Sequence, residues 1–230
     1  MDLTICFRLR RIAGGGTGPG ELPLTTPRSL LIATRNVGKL NELRELLLDL
    51  PLVLFGLGDF PCVETVQESG RTFVENASLK AVGYAEQTRL LTLADDSGLE
   101  VQALNGAPGV FSARYAGEFA SDTTRTNALL AKLLTVEASK RTARFVSAVA
   151  IASNEGKILK IAVGACEGHI ASAPRGSSGF GYDPIFVPNG YELTFAEMEP
   201  NTKNQISHRA RAFQRAREYL QNLTSASSAR

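Results

Sequence analysis

The chain has 230 residues, 43% of them hydrophobic and 21% charged, so it can bury a sizeable core as one domain or as two closely packed lobes. A formal net charge of +2 gives no general electrostatic reason to expect a nucleic-acid partner. With only two histidines, His169 and His208, a histidine-rich zinc site is excluded, and no run approaches the roughly 18 apolar residues of a membrane helix.

The cysteines Cys6, Cys62 and Cys166 lie far apart with no Cys-x-x-Cys spacing, a pattern expected of reduced thiols in a cytoplasmic protein. Residues 1–28 stand apart in composition. Arg8, Arg10 and Arg11 interrupt any apolar run, and Gly14, Gly15, Gly16, Gly18 and Gly20 follow, so this segment is expected to be a disordered extension. It lacks the uninterrupted apolar stretch of a secretory signal.

The folded part is expected to begin at Ser29–Thr34, a short β-type run leading into Arg35-Asn36-Val37-Gly38-Lys39. Behind it Leu40, Leu43, Leu47 and Leu50 recur at helical spacing up to Pro51. A strand, a polar turn and a helix offer backbone amides, a helix N-terminus and a lysine to an anion. The Gly-x-x-x-x-Gly-Lys-Ser/Thr string of a P-loop is missing, and taken alone a simple capped turn reads the same way.

A strand at Leu52–Leu57 comes next, then a loop with Glu64 and Glu68-Ser69-Gly70. Thr72-Phe73-Val74-Glu75 reads as a capping box that opens a helix to about Arg89. On that helix Phe73, Ala77, Ala81 and Tyr84 form an apolar stripe, while Asn76 and Lys80 share another face. Lys80 can point into a cleft or, as most helix lysines do, into solvent.

The stretch Leu90–Ala94 is a short apolar run ending in Asp95-Asp96-Ser97-Gly98, so two adjacent carboxylates are expected at a strand mouth. Side chains alternate along a strand, so both acids can face one cleft only if the chain turns between them, as Ser97-Gly98 would permit. Gly98–Ala103 is then the second strand of a hairpin. A long loop, Asn105–Tyr115, and a helix from Ser121 to Leu134 follow. Thr142–Ser153 and Lys157–Ile170 are two β-type runs joined at Asn154-Glu155-Gly156, a hairpin signal, so the sheet is expected to be mixed.

Gly179-Phe180-Gly181-Tyr182-Asp183 would let a flat ligand approach an aromatic ring, with Lys203, His208 and Arg209 as donors. Thr194-Phe195-Ala196-Glu197 reads as a capping box starting a short helix, and the stretch from Lys203 to Arg209 leads into a last helix ending near Leu223. Arg209, Arg211, Arg215 and Arg217 are not interleaved with aromatics in the way that single-strand binding favours.

Several strings occur in one order: Ala33-Thr34 with Asn36-x-Gly38-Lys39, Glu68-x-Gly70, Phe73-x-Glu75-Asn76-Ala77, Ala94-Asp95-Asp96-Ser97-Gly98-Leu99, Gly106-Ala107-Pro108-Gly109, Ser112-Ala113-Arg114-Tyr115, Gly179–Phe186 and Ile206-Ser207-His208-Arg209. Together they closely resemble the inosine triphosphate pyrophosphatase family, also called Ham1-like, over roughly Leu30–Leu220. Arg35 departs from the small residue usual between the Thr and the Asn.

The resemblance implies an α/β fold with an elongated central mixed β-sheet flanked by helices, and two lobes with the active-site cleft between them. The domain would span residues 29–223, followed by a disordered tail at 224–230. It further implies a homodimer, a nucleoside triphosphate substrate such as inosine, deoxyinosine or xanthosine triphosphate, magnesium (Mg2+) as cofactor, and release of the monophosphate and pyrophosphate. No nucleic acid or membrane partner is expected. By the same carry-over Thr34, Arg35, Asn36, Val37, Gly38 and Lys39 bind the phosphates, with Lys80 as a second cation. Glu68 and Asp96 hold the metal, Asp96 is the general base and Ser97 touches the substrate. Phe180, Gly181, Tyr182, Asp183, Lys203, His208 and Arg209 enclose the base. A Maf-like pyrophosphatase would open on a serine-rich turn, which is not seen, and a non-catalytic nucleotide-binding module could dispense with Asp96.

Overall fold

The structure, a computed structural model, describes residues 28–225. The extension expected over residues 1–28 therefore lies outside the described residues except for Arg28, which opens the first strand. The tail expected at 224–230 does so except for Thr224 and Ser225, which still belong to the last helix.

Six strands form one mixed sheet, as expected. Their order across it is β2 (Leu52–Gly56), β1 (Arg28–Ile32), β3 (Leu91–Val101), β4 (Thr142–Ala152), β5 (Ile158–Ile170) and β6 (Phe186–Pro188). β2, β1 and β3 run parallel because helices connect them, α1 (Val37–Leu47) between β1 and β2 and α2 (Phe73–Thr88) between β2 and β3. β3 to β6 are antiparallel, with the expected hairpin joining β4 to β5. The remaining helices are α3 (Asp122–Lys132), α4 (Pro200–Ile206) and α5 (His208–Ser225).

Both faces of the parallel part are covered, so β1 is apolar throughout its inner half and not alternating. Leu30 and Ile32 pack with Leu93, Val149 and Ile151 against Leu43 and Leu47 of α1 and Ala212, Phe213, Ala216 and Leu220 of α5. Leu31, Ala33, Ala94, Ala148 and Ala150 pack on the other face against Phe73, Ala77, Ala81 and Tyr84, the apolar stripe of α2. A third cluster lies at the other end of the long strands. There Leu99, Val101, Phe145 and Phe186 meet Leu129 of α3 and Leu133 just past its end, together with Phe195.

Three local readings need correction. β3 does not turn at Ser97-Gly98 but runs unbroken for 11 residues, paired with β4 from Thr92 opposite Ala152 to Val101 opposite Ala143. The glycine there serves close packing: a Cβ on Gly98 would lie 2.3 Å from Ser112 Oγ and 2.6 Å from the Gly109 carbonyl oxygen. Thr194–Glu197 makes a turn and not a helix. Glu197 accepts from the Thr194 amide at 2.8 Å, but the Glu197 amide donates to the Thr194 carbonyl at 3.0 Å and not to its hydroxyl, so the reciprocal half of a capping box is absent. Cys62 is disulfide-bonded, against the expectation of reduced thiols, and only Cys166 of the described cysteines is a free thiol. Burial pushes the Cys166 thiol up to about 11.

Candidate active site

Pairing between β1 and β3 ends at Ile32 opposite Leu93, with the Ala33 amide donating to the Leu93 carbonyl at 2.7 Å. Beyond that point β3 keeps β4 on one side but has no strand on the other until the 3₁₀ turn Gly109–Arg114 closes in. Here the Ser112 hydroxyl accepts from the Leu99 amide at 2.9 Å and donates to the Gly109 carbonyl at 2.6 Å. The open edge between Leu93 and Leu99 is the floor of a cleft of about 290 Å³.

Because β3 continues straight, Asp95 and Asp96 point to opposite faces, and each meets a lysine from the helix on its own side. Asp95 faces α1 and α5, with its carboxylate 2.6 Å from Lys39 Nζ. Asp96 faces α2, with Oδ1 3.4 Å from Lys80 Nζ, and the same ammonium lies 3.2 Å from Glu68 Oε1. Both acids line the one cleft because it wraps around the uncovered edge of the strand.

The environments split the two carboxylates. Burial alone would raise Asp95, but Lys39 and Arg209 hold it well below the usual carboxylate range. Asp96 is pushed up by burial against the opposing pull of Lys80. Lys80 is raised, since Asp96 and Glu68 outweigh its burial, whereas Lys39 is lowered by burial in spite of Asp95.

The turn before α1 is shaped by its own side chains. The Thr34 hydroxyl accepts from the Asn36 amide at 3.2 Å, and Asn36 Oδ1 caps α1 by accepting from the Lys39 amide at 3.0 Å. Thr34, Arg35, Asn36 and Lys39 line the cleft. Val37 does not, being 68% exposed, and Gly38 lies beneath Phe180. The capping box of α2 is present as expected, with Thr72 and Glu75 each accepting the other's amide at 3.1 and 3.3 Å. Next to it the Gly70 amide donates to Asn76 Oδ1 at 2.8 Å, and this fastens the loop carrying Glu68 to the helix.

At the far end Gly179 and Gly181 take φ of +76° and +64°, conformations that present Phe180 between them. The loop is pinned at three points. The Phe180 amide donates to Asp183 at 2.9 Å, the Gly181 amide to Asp122 at 2.7 Å, and the Tyr182 hydroxyl to the Ser112 carbonyl at 3.0 Å. Phe180, Gly181, Tyr182, Asp183, His208 and Arg209 all line the cleft.

Lys203 stands behind the ring and not in the lining: its ammonium is 5.3 Å from the Phe180 centroid, 2.8 Å from Asp183 and 3.2 Å from Glu42. His208 is buried, stacked on Phe145 at 4.6 Å, and held neutral by burial and by the neighbouring Arg209. Arg209 is raised, its burial outweighed by Asp95 and Glu42. It pairs with Glu42, donates to Ser97 Oγ at 3.3 Å and lies 5.3 Å from the Phe180 centroid.

Several lining residues carried no role in the sequence reading: Asp95, Ser112, Arg114, Asp122, Arg125 and Phe145. Ser112 and Arg114 sit in one of the strings that carry the family resemblance, but no role was attached to either. Glu42 looks like any exposed helix glutamate until α5 is docked beside it.

A magnesium site fits the residues present. Among the described residues no group of three or more His, Cys, Asp or Glu gathers around one point. Magnesium, however, is commonly held by one or two carboxylates and completes its shell with water and phosphate oxygens. Glu68 and Asp96 converge on Lys80, and Asp96 Oδ2 is a buried carboxylate oxygen without a partner.

Comparison with known proteins agrees with this geometry. The Ham1 family model matches residues 30–219. A dITP/XTP pyrophosphatase of Desulforamulus reducens is 49% identical over 194 residues, covering 84% of this chain and 96% of the relative. One of Bacillus anthracis is 46% identical with the same coverage. A solved HAM1 protein from Coxiella burnetii superposes with a TM-score of 0.77 at 44% identity, covering 86% of this chain and 99% of that one, and a Staphylococcus aureus Ham1 protein gives 0.75 at 38%, covering 85% and 99%. Sequence strings, fold and cleft lead to one conclusion: the chain belongs to the Ham1 family.

Proposed function

We propose that the protein hydrolyses purine nucleoside triphosphates with altered bases, those of inosine, deoxyinosine and xanthosine, to the monophosphate and pyrophosphate, and so cleanses the nucleotide pool. One observation carries this reading. A single strand presents carboxylates on both faces to a cleft that has lysines and helix-terminal amides at one end and a glycine-framed aromatic ring at the other. The name dITP/XTP pyrophosphatase borne by relatives at 42–49% identity agrees with it.

In this reading the turn Thr34–Lys39 takes the phosphates, with Arg35, Lys39 and Lys80 supplying positive charge. Glu68 and Asp96 hold Mg2+, which when bound neutralises part of the roughly four negative charges of a triphosphate. Asp96, raised by burial, accepts the proton of the attacking water. Ser97 touches the substrate beside Arg209, and Phe180 stacks on the base.

A 6-oxo purine offers an acceptor where adenine has an amino group. A pocket that presents donors there leaves them unpaired when adenine enters, at about 1–3 kcal/mol per contact. Arg209 and a backbone amide or His208 are the donors assigned. Tyr182 lines the cleft next to the ring, while Val37, Gly38 and Lys203 act behind this surface by shaping the turn and supporting the ring. The reading includes a homodimer in the cytoplasm without a nucleic-acid partner.

The test is pyrophosphate release from inosine, deoxyinosine, xanthosine, adenosine and guanosine triphosphates with magnesium. The first three should be turned over at least tenfold more efficiently than adenosine triphosphate, following the contact estimate above. Release of orthophosphate in place of pyrophosphate, or equal use of all five, would overturn the assignment.

A further inference from the structure

We infer that Asp95 is a positioning residue that ties the phosphate end of the cleft to its base end, by holding Lys39, Ser97 and Arg209 in the arrangement that both halves of the substrate need. The inference rests on the reading of the cleft as a nucleoside triphosphate site. Asp95 itself faces away from Asp96 and is saturated with partners, so it is free for neither metal nor water.

The Asp95 side chain is fully buried, and its neighbours come from four elements. Oδ2 lies 2.6 Å from Lys39 on α1 and 3.9 Å from Arg209 Nε on α5, and it accepts the Ser97 hydroxyl of β3 at 3.2 Å. Oδ1 accepts the hydroxyl of Ser147, which stands directly across from Ser97 on β4. One negative charge thus sits between two buried cations that would otherwise repel each other.

The alternation continues away from the strand. Arg209 pairs with Glu42, Glu42 with Lys203 at 3.2 Å, and Lys203 with Asp183 at 2.8 Å, and Asp183 accepts the Phe180 amide at 2.9 Å. Six side chains of alternating sign connect the helix that follows the phosphate turn to the loop that presents the ring. Asp95 is the member through which the two ends join. Removing its charge leaves Lys39 and Arg209 buried and facing each other, a costly arrangement relieved only by moving one or both.

The test uses the full-length protein and two half-substrate probes, inorganic tripolyphosphate measured by calorimetry and inosine measured by NMR titration. Lys39→Ala should weaken tripolyphosphate alone, and Arg209→Ala inosine alone. Asp95→Asn, which keeps shape but not charge, should weaken both, each by about tenfold, the scale of one charge-assisted contact. The Asp95→Asn/Lys39→Ala pair should bind tripolyphosphate no worse than the weaker single variant, since both act on the same contact.

Ser147→Ala covers the case in which Asp95→Asn does not fold. It removes one hydrogen bond to Asp95 from outside the cleft and should weaken both probes in the same direction by a smaller factor. Weakening of one probe only, or of neither, would overturn the link. Tighter tripolyphosphate binding by Asp95→Asn would do so as well, by showing a counter-ion that competes with phosphate for Lys39. These readouts need no turnover. A parent protein that binds both probes but hydrolyses no triphosphate would sink the pyrophosphatase reading and leave the role of Asp95 standing.

Discussion

The ring of Phe180 rests on the backbone of Gly38: a Cβ built at Gly38 would lie 2.8 Å from Cδ1 and 2.9 Å from Cε1 of that ring. The loop assigned to the base and the turn assigned to the phosphates are therefore in direct contact, and the absence of a side chain at Gly38 sets where the ring lies.

Gly38→Ala should separate stability from binding. Alanine is the better helix former, by up to about 1 kcal/mol in a helix interior, and Gly38 occupies the second position of α1, so the melting temperature should hold or rise slightly. The displaced ring should raise the Michaelis constant for inosine triphosphate several-fold, while turnover changes less. An unchanged Michaelis constant would show that the ring finds another equally good seat.

Asp96→Asn should remove nearly all turnover, since loss of a general base alone typically costs about 100- to 10,000-fold, and the metal would lose a ligand as well. The fold should survive, because an asparagine can still sit beside Lys80. Excess chelator should abolish pyrophosphate release in the parent protein, and magnesium should restore it. A variant keeping more than about a tenth of parental turnover would fall outside the general-base range and refute the role.

His208 gives a pH prediction whose sign is fixed by its burial. Its folded value lies well below 6.5, first through burial and next through Arg209, so between the two values the unfolded chain binds a proton that the folded chain refuses. Stability contributed by neutral His208 is complete above about pH 6.5 and is lost progressively as pH falls below it toward the folded value. His208→Gln has no such group, so its loss of stability between pH 7.5 and 5.5 should be smaller than that of the parent protein. Parallel losses in the two proteins would mean that His208 is protonated in the fold.

What could be read from the sequence was what is local. The capping box at Thr72 and Glu75 and the hairpin between β4 and β5 each depend on residues within a few positions of one another, and both are legible there. Ser97-Gly98 misled because its turn chemistry is equally the chemistry of close approach. Ser97 donates to Asp95 within the strand, and Gly98 makes room for Ser112. Asp95 and Asp96 consequently sit on opposite faces of a straight strand, where a turn at Ser97-Gly98 had been expected.

Contacts that span the chain left no trace in local pattern. Glu42 meets Arg209 across 167 positions, and Asp122 accepts from Gly181 across 59, and neither acid carries a motif of its own. Lys203 and His208 were drawn to the base by resemblance. The fold adds that one sits behind the ring and that the other is packed on Phe145.

The placement of Asp96 in the middle of β3, opposite Ala148 on an unbroken ladder with β4, bears on how the protein ages under heat. Amide exchange at Asp96 should require opening of the sheet itself and so track global unfolding, whereas Glu68 is carried by a loop that can open locally. Thermal inactivation should therefore begin with the departure of Glu68, at temperatures where the carboxylate on the strand is still in position.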